Sequence, residues 1–498
     1  MCDKPIKVAT RFLILSVVSV LFLLIYSSST SPLTVCYGAD SAFFILVGQG
    51  MTEGLLPYRD FFDMKGPYLF LLEYIGQLIC KGRTGAFIVQ CVNLTLSLCV
   101  MDMIYHRNKT ALTVKIWLKD CLLYIFPCLC ILCFTMEGGN LTEEFSLPLL
   151  LVALYFVMDY LEKAELDPDA IHAPIQGFYY GFAFGVLALI RITNAAFLGA
   201  ILLTVSLDLL FRRKINNLFL NALTFLLGCV IAFAPMCLYY KQQGLLVQML
   251  SQVFLFGVQY SAESSLLSKT ISFLSTRHRE LIIMTFPIAV LALFRIRHWK
   301  HWVLSVASYL LLILACVMGN GYLHYLTLGI PHLVLGLTLL KKVQAEKSIP
   351  KYIVVIPVLL LFLVMGKLTF WTTRNCGMEI LDPSATMDAR QQVLEIRDVI
   401  PEEEQNSVYI YNIPSCSNWY LQAGLLPINK YCDWQEHYII LNPQIAEEIS
   451  QWMQKEKPKW VVVSNIMPIA CQDVAEILES NYSISTKNKT YTLYKITE

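Results

Sequence analysis

The sequence predicts a polytopic α-helical membrane protein that carries a small α/β domain at its C-terminal end. Three observations predict this. Of 498 residues, 56% are apolar and only 15% charged, against about 45–50% and about 25% in soluble domains. Apolar runs recur through residue 370, many close to the roughly 20 residues that a bilayer crossing demands. Beyond residue 370 charge clusters and short alternating stretches take over. The mean hydropathy of +0.56 excludes disorder and a wholly soluble multidomain enzyme. A net charge of +1 offers no bulk attraction to nucleic acid, so no nucleic-acid partner is expected. The 16 cysteines do not form a disulfide framework, because most, such as Cys121, Cys128, Cys130 and Cys133, lie inside apolar runs where a thiol acts as a small hydrophobe. No CxxC…CxxC combination occurs that would build a structural zinc site.

Taken in order, the first apolar run is 12–26, preceded by Lys4, Lys7 and Arg11. A cleavable signal peptide shares that profile. A multispanning chain follows, however, and 28–32 is no clear A-x-A site, so the run is expected to span with its N-terminus cytoplasmic. Further runs at 85–105, 120–135, 145–161, 175–190, 194–211, 218–240, 281–294, 302–318, 325–340 and 352–370 bring the expected number to about eleven spans. Alternation places 106–119, 161–174, 211–217, 295–301 and 341–351 in the cytoplasm. All but 161–174 are basic, as in Arg212-Arg213-Lys214, and acidic residues carry little topological weight. An odd span count then puts the C-terminus outside.

The segment 68–79 is too short to cross and contains Glu73 and Gln77, so it reads as an interfacial helix, with 41–51 as a second. The first external loop, 27–84, is therefore long and semi-ordered. The expected division is a transmembrane domain over 1–370 and an extracytoplasmic α/β domain over 371–498. In the latter, 408–411 and 460–463 read as strands, 445–455 and 472–480 as amphipathic helices, and 483–485 with 490–494 as a hairpin around Lys487-Asn488.

Polar residues gather on the external side. The first loop holds Gly38-Ala39-Asp40-Ser41 and Pro57-Tyr58-Arg59-Asp60-Phe61-Phe62-Asp63-Met64-Lys65-Gly66-Pro67; the second holds Glu137-Gly138-Gly139-Asn140-Leu141-Thr142-Glu143-Glu144. Arg191 and Asn194 mark a third turn, and Gly319-Asn320-Gly321-Tyr322-Leu323-His324-Tyr325 a fourth. This pattern resembles the GT-C superfamily of integral-membrane glycosyltransferases, most closely the branch with protein O-mannosyltransferases and lipid A aminoarabinose transferases. The resemblance covers roughly residues 1–340, and the run from Gly38 to Pro67 is its most specific part.

The resemblance implies a multi-pass protein of the plasma (inner) membrane. It implies transfer of a sugar, with inversion, from a polyprenyl-phosphate donor lipid to a hydroxyl of a lipid, glycan or protein acceptor on the extracytoplasmic face. Asp40 matches the acidic motif of the first loop, Glu143 the second acidic position, and Lys65 a lysine near the lipid phosphate. Ser41 departs from the usual second acid of the pair, so no metal is assigned and no cofactor is expected to be required, although a divalent ion stays open. The rival readings are a transporter or flippase, and a non-catalytic polysaccharide-assembly protein on the same fold. Against the former, charges sit at span ends and no internal repeat is evident.

The chemistry suits these residues. The acceptor needs a base, for which Asp40 and Glu143 are the candidates. The leaving phosphate needs cations, for which Lys65, Arg59 and Arg191 serve. Asp60, Asp63, His324 and Tyr325 complete the expected substrate-binding set. Each has a plainer role: Asp40 as a helix cap, Asp60 and Asp63 as partners of Arg59 and Lys65, Glu143 as a first-turn helix charge, Arg191 as a snorkelling side chain and His324 as a packed polar residue.

Overall fold

The computed structural model describes residues 6–107, 112–261, 265–346 and 350–497. Lys4, Lys109 and Lys347, which enter the charge-bias argument, lie outside the described residues. The chain forms two compact units, each discontinuous in sequence. One comprises Met1–Ser27, Gln90–Tyr239 and Ser264–Gly377; the other comprises Ser28–Val89, Tyr240–Glu263 and Met378–Glu498.

The first unit is helical. Among the described residues of the whole chain, eight helices are long and apolar enough to cross a membrane, or nine if the bent pair Val355–Leu363 and Met365–Leu381 forms one span. The protein is an integral membrane protein. Two differences account for the gap from eleven. The 281–294 run breaks into His278–Met284 and Phe286–Leu293, each too short to cross, because Pro287 has no N–H to continue the ladder. The 175–190 and 194–211 runs merge into one apolar stretch of 38 residues, Pro174–Phe211. A straight helix of that length would run about 57 Å, nearly twice the roughly 30 Å hydrocarbon core. The stretch is interrupted at Arg191, whose backbone is extended (φ −164°, ψ 118°) before a 3₁₀ turn at Ile192–Ala195.

Small residues let two of these helices touch backbone to backbone. Gly177, Gly181 and Gly185 recur every fourth residue on Pro174–Arg191. A Cβ at Gly181 would lie 1.8 Å from the Phe225 carbonyl, and one at Gly228 would lie 2.1 Å from that of Phe178. This is the small-xxx-small contact that membrane helices use in place of a hydrophobic driving force. Helix Thr142–Leu166 contains Pro148, which cannot donate to the Glu144 carbonyl; Asn93 Nδ2 donates to it instead, at 2.7 Å.

In the second unit, helices Ala39–Thr52 and Pro67–Ile79 pack together through Phe43, Phe44 and Phe70. Gly48 allows the close approach to Glu73, where a Cβ would meet the Glu73 backbone at 2.9 Å. Pro67 starts its helix at the position where a missing N–H costs nothing. The C-terminal sheet has the order β1-β2-β4-β3, with β1 Val408–Tyr411, β2 Trp460–Ser464, β3 Tyr482–Lys487 and β4 Tyr491–Ile496. β1 and β2 are parallel, and β4 is antiparallel to both β2 and β3. β1 and β2 are buried along their whole length, as parallel strands covered on both faces should be. The expected amphipathic helices are present as Gln444–Glu456 and Gln472–Asn481.

Phe62 joins the first loop to this core. Its ring packs 4.9–5.2 Å from those of Phe256, Tyr431 and Tyr438, and its N–H donates to the Lys430 carbonyl at 2.9 Å.

Candidate functional site

The expected site residues fall into two groups, one in each unit. In the second unit, Pro57–Lys65 forms a tight knot. Tyr58 takes a left-handed φ of 71° and its buried hydroxyl donates to the Lys65 carbonyl at 2.9 Å. Gln252 accepts from the Asp63 N–H at 3.2 Å and donates to the Tyr58 carbonyl at 3.2 Å. Asp63 is buried and accepts from the Lys65 N–H at 2.5 Å. The Lys65 ammonium lies 3.9 Å from the Asp63 carboxylate and 5.7 Å from the Phe44 ring centre. At 9% exposure, Lys65 is held in place rather than waving in solvent.

Asp40 sits in the first turn of Ala39–Thr52, but the N-cap is Gly38. Asp40 therefore does not cap that helix, although its charge still favours the helix N-terminus. Asp40 is half-buried and its carboxylate takes part in no hydrogen bond or ion pair among the described residues. Tyr438 feels Asp63, Asp433 and Asp40 together; burial, then these charges, push its phenol well above the ordinary value. Arg59 and Asp60 pair with each other at 2.7 Å, and Asp60 caps the turn by accepting from the Leu56 N–H at 2.7 Å.

In the first unit, Glu143 and Glu144 divide two jobs. Glu144 accepts from the Leu141 N–H at 3.3 Å and from Gln90 at 2.7 Å, closing the helix start as a capping box does. Glu143 is 1% exposed, accepts from the Thr142 hydroxyl at 2.8 Å, and lies 3.7 Å from the Arg191 guanidinium. Arg191 also lies over the Tyr325 ring, 4.3 Å from its centre, within cation–π range. Its guanidinium is turned inward, so Arg191 does not snorkel. His324 Nδ1 pairs with Glu137 at 2.7 Å and its N–H donates to the same carboxylate at 3.1 Å. Burial raises the Glu137 pKa, but the His324 hydrogen bonds, with His324 and Arg277 charge, outweigh it and hold the carboxyl below its usual value. Asn140 is fully buried.

The structure therefore brings together Glu143, Arg191 and Tyr325, with His324 edge-to-face against Tyr325 at 4.3 Å. Separately it gathers Asp63 and Lys65. Glu137, Gln90 and Gln252 were not anticipated. Glu137 stood within the second-loop motif and its left-handed φ of 44° marks a built turn; Gln252 carried no local signal. No group of three or more His, Cys, Asp or Glu side chains suited to a metal ion occurs among the described residues.

No family model matches the chain, and no curated protein matches it. Solved structures do. ArnT from Cupriavidus metallidurans bound to undecaprenyl phosphate is 12% identical, with 98% of this chain and 98% of that one covered at a TM-score of 0.61. The chain has a GT-C fold. ArnT from the same organism in the apo state is likewise 12% identical, with 98% of each chain covered at a TM-score of 0.57. The likeness runs past residue 340, where the motif-based resemblance stopped, and the C-terminal sheet domain shares in it.

Proposed function

We propose that this protein is a membrane glycosyltransferase that moves a sugar from a polyprenyl-phosphate donor to an acceptor hydroxyl on the extracytoplasmic face. The observation that carries the proposal is the end-to-end likeness to a protein captured with undecaprenyl phosphate. In the reaction the acceptor oxygen bonds to the anomeric carbon as the carbon–phosphate oxygen bond breaks. The acceptor proton passes to a carboxylate, and polyprenyl phosphate leaves as an anion. Attack opposite the leaving group inverts the anomeric centre.

Asp40 is the base on this reading: it is half-buried and not committed to a partner. Glu143 is the second carboxylate and orients Arg191. The leaving phosphate is balanced by Lys65, supported by Asp63, or by Arg191, supported by Tyr325; a protonated amine and a forked guanidinium each suit that anion. Arg59, Asp60 and His324 contact the substrates. The transmembrane region extends over 1–370 and the α/β domain over 371–498, with the N-terminus cytoplasmic and the C-terminal domain outside. The protein requires no cofactor.

The test incubates purified full-length protein in amphipol with a panel of polyprenyl-phosphate sugars and candidate acceptors. Release of polyprenyl phosphate matched by sugar in the acceptor is the expected result. No donor consumption across the panel, from protein that binds polyprenyl phosphate, overturns transfer. Reporter fusions at residues 115 and 400 should signal on opposite sides of the membrane.

A further inference from the structure

The second unit contains a cleft of which the proposed transfer reaction uses only the Arg59 and Asp60 wall. It has a volume of about 690 Å³, within the roughly 300–1,000 Å³ of small-molecule sites. One wall comes from Arg59 and Asp60 of the first loop, the other from 427–431 and the helix Gln444–Glu456.

Its chemistry is specific. The charged lining residues are Arg59, Lys430 and Lys455 against Asp60, Glu448 and Glu456, so the charges cancel. They are also paired locally: Arg59 with Asp60 at 2.7 Å, Lys430 with Glu448 at 2.7 Å and Lys455 with Glu456 at 3.2 Å. A phosphate or other anion would have to break these pairs and would meet as many carboxylates as cations. A purely apolar ligand would bury them unsatisfied, at a cost. Paired carboxylates and ammonium groups present acceptors and donors side by side, which is what a hydroxyl needs, since it both gives and takes a hydrogen bond. Trp452 and Tyr431 also line the cleft. Trp452 is partly exposed and its ring is braced edge-to-face by Tyr409 at 4.9 Å. Tyr431 is fixed by its hydroxyl, which donates to Glu448 at 2.9 Å. Tyr431 is itself buried, so Trp452 supplies the accessible ring: a rigid aromatic side chain offers area at small entropic cost, and its face suits the C–H face of a pyranose.

We infer that this cleft binds a neutral saccharide. The inference shares Arg59 and Asp60 with the transfer reading, but binding of a free saccharide requires neither the donor lipid nor Asp40.

The experiment titrates the full-length protein, in amphipol to avoid glycoside detergents, with neutral tetrasaccharides of glucose, mannose, galactose and N-acetylglucosamine. Inorganic phosphate is the anionic probe. No donor lipid is present, so failure of the transfer reading leaves the result untouched. At least one saccharide should bind, with an affinity that changes less than twofold between 50 and 300 mM salt. Trp452→Ala should weaken it at least tenfold. Gln451→Trp, a bulky group at an exposed position on the cleft rim, should do the same without touching the core, and Asp40→Asn should leave binding unchanged. Binding of phosphate alone, no saccharide binding, or saccharide binding that survives both cleft variants overturns the inference.

Discussion

Replacing Lys65 by Met separates a structural role for the Asp63–Lys65 pair from a role on phosphate. Both side chains are buried, with 11% and 8% of Lys65 and Asp63 side chains exposed, and the charges are 3.9 Å apart. At an effective dielectric constant of about 20, two unit charges at that distance attract by about 4 kcal/mol. Lys65→Met keeps most of the stem but removes the cation beside the buried Asp63 carboxylate. Removing one partner of a buried pair typically costs about 3–5 kcal/mol. Asp63→Asn retains an acceptor for the Lys65 N–H, and the double variant removes both charges, so it should recover most of the loss. The assay is thermal unfolding of the four proteins in amphipol. For bodies of about 150–250 residues, 1 kcal/mol moves the midpoint by about 2–4 °C, so Lys65→Met should lower it by about 6–20 °C and the double variant by less than half of that. If Lys65 also balances the leaving phosphate, the double variant folds yet stays slow in transfer. A coupling below about 0.5 kcal/mol refutes the pairing argument; transfer restored with stability refutes the phosphate role.

Asp40→Asn should lower turnover by about 10²–10⁴, the usual worth of a general base, with donor binding retained; near-normal turnover in a sugar-release assay rules the base out. Asp433 is buried, which pushes its carboxyl up to about 7 even though Ser417 and the Cys416, Ser417 and Trp434 N–H groups donate to it. Since the folded value is raised, its stability contribution is complete below the ordinary aspartate range and is lost as pH rises through about 7. Asp433→Asn should flatten that decline in unfolding midpoint, and identical pH profiles would show that Asp433 does not cause it. Gly181→Leu should separate Pro174–Arg191 from Ile215–Gln242, because even a Cβ meets the Phe225 carbonyl at 1.8 Å; a midpoint lowered by less than about 2 °C would contradict the close crossing.

Local chemistry was readable from the chain, and long-range partnership was not. Lys65 before Gly66-Pro67 announced a side chain at a helix start, and the strands at 408–411 and 460–463 followed from β-branched and aromatic runs. Pro287 was visible inside the 281–294 run and marks the place where it breaks. The four-residue spacing of Gly177, Gly181 and Gly185 was equally visible and marked a packing face. By contrast, nothing near Arg191 reveals that Tyr325 will lie beneath it, 134 positions later. Likewise the adjacent acids Glu143 and Glu144 look interchangeable until Gln90 and the Leu141 N–H single out one for capping. The cleft joins Arg59 to Trp452, a juxtaposition that only the fold creates.

The seat of Phe62 has a consequence for how the protein is made. Its ring neighbours Tyr431 and Tyr438 are synthesised some 370 residues after it. At about 5–20 residues per second, that is a delay of roughly 20–75 s. Throughout that interval the Pro57–Lys65 knot lacks the aromatic pocket and the Lys430 carbonyl that anchor it. The first loop therefore waits, with an unsatisfied phenylalanine, for the end of translation. Contacts this distant in sequence form late because their loop-closure entropy must be met first. A ribosome stalled before residue 430 would carry every element through the last membrane helix and still present an unlatched first loop, open to protease and to chaperone.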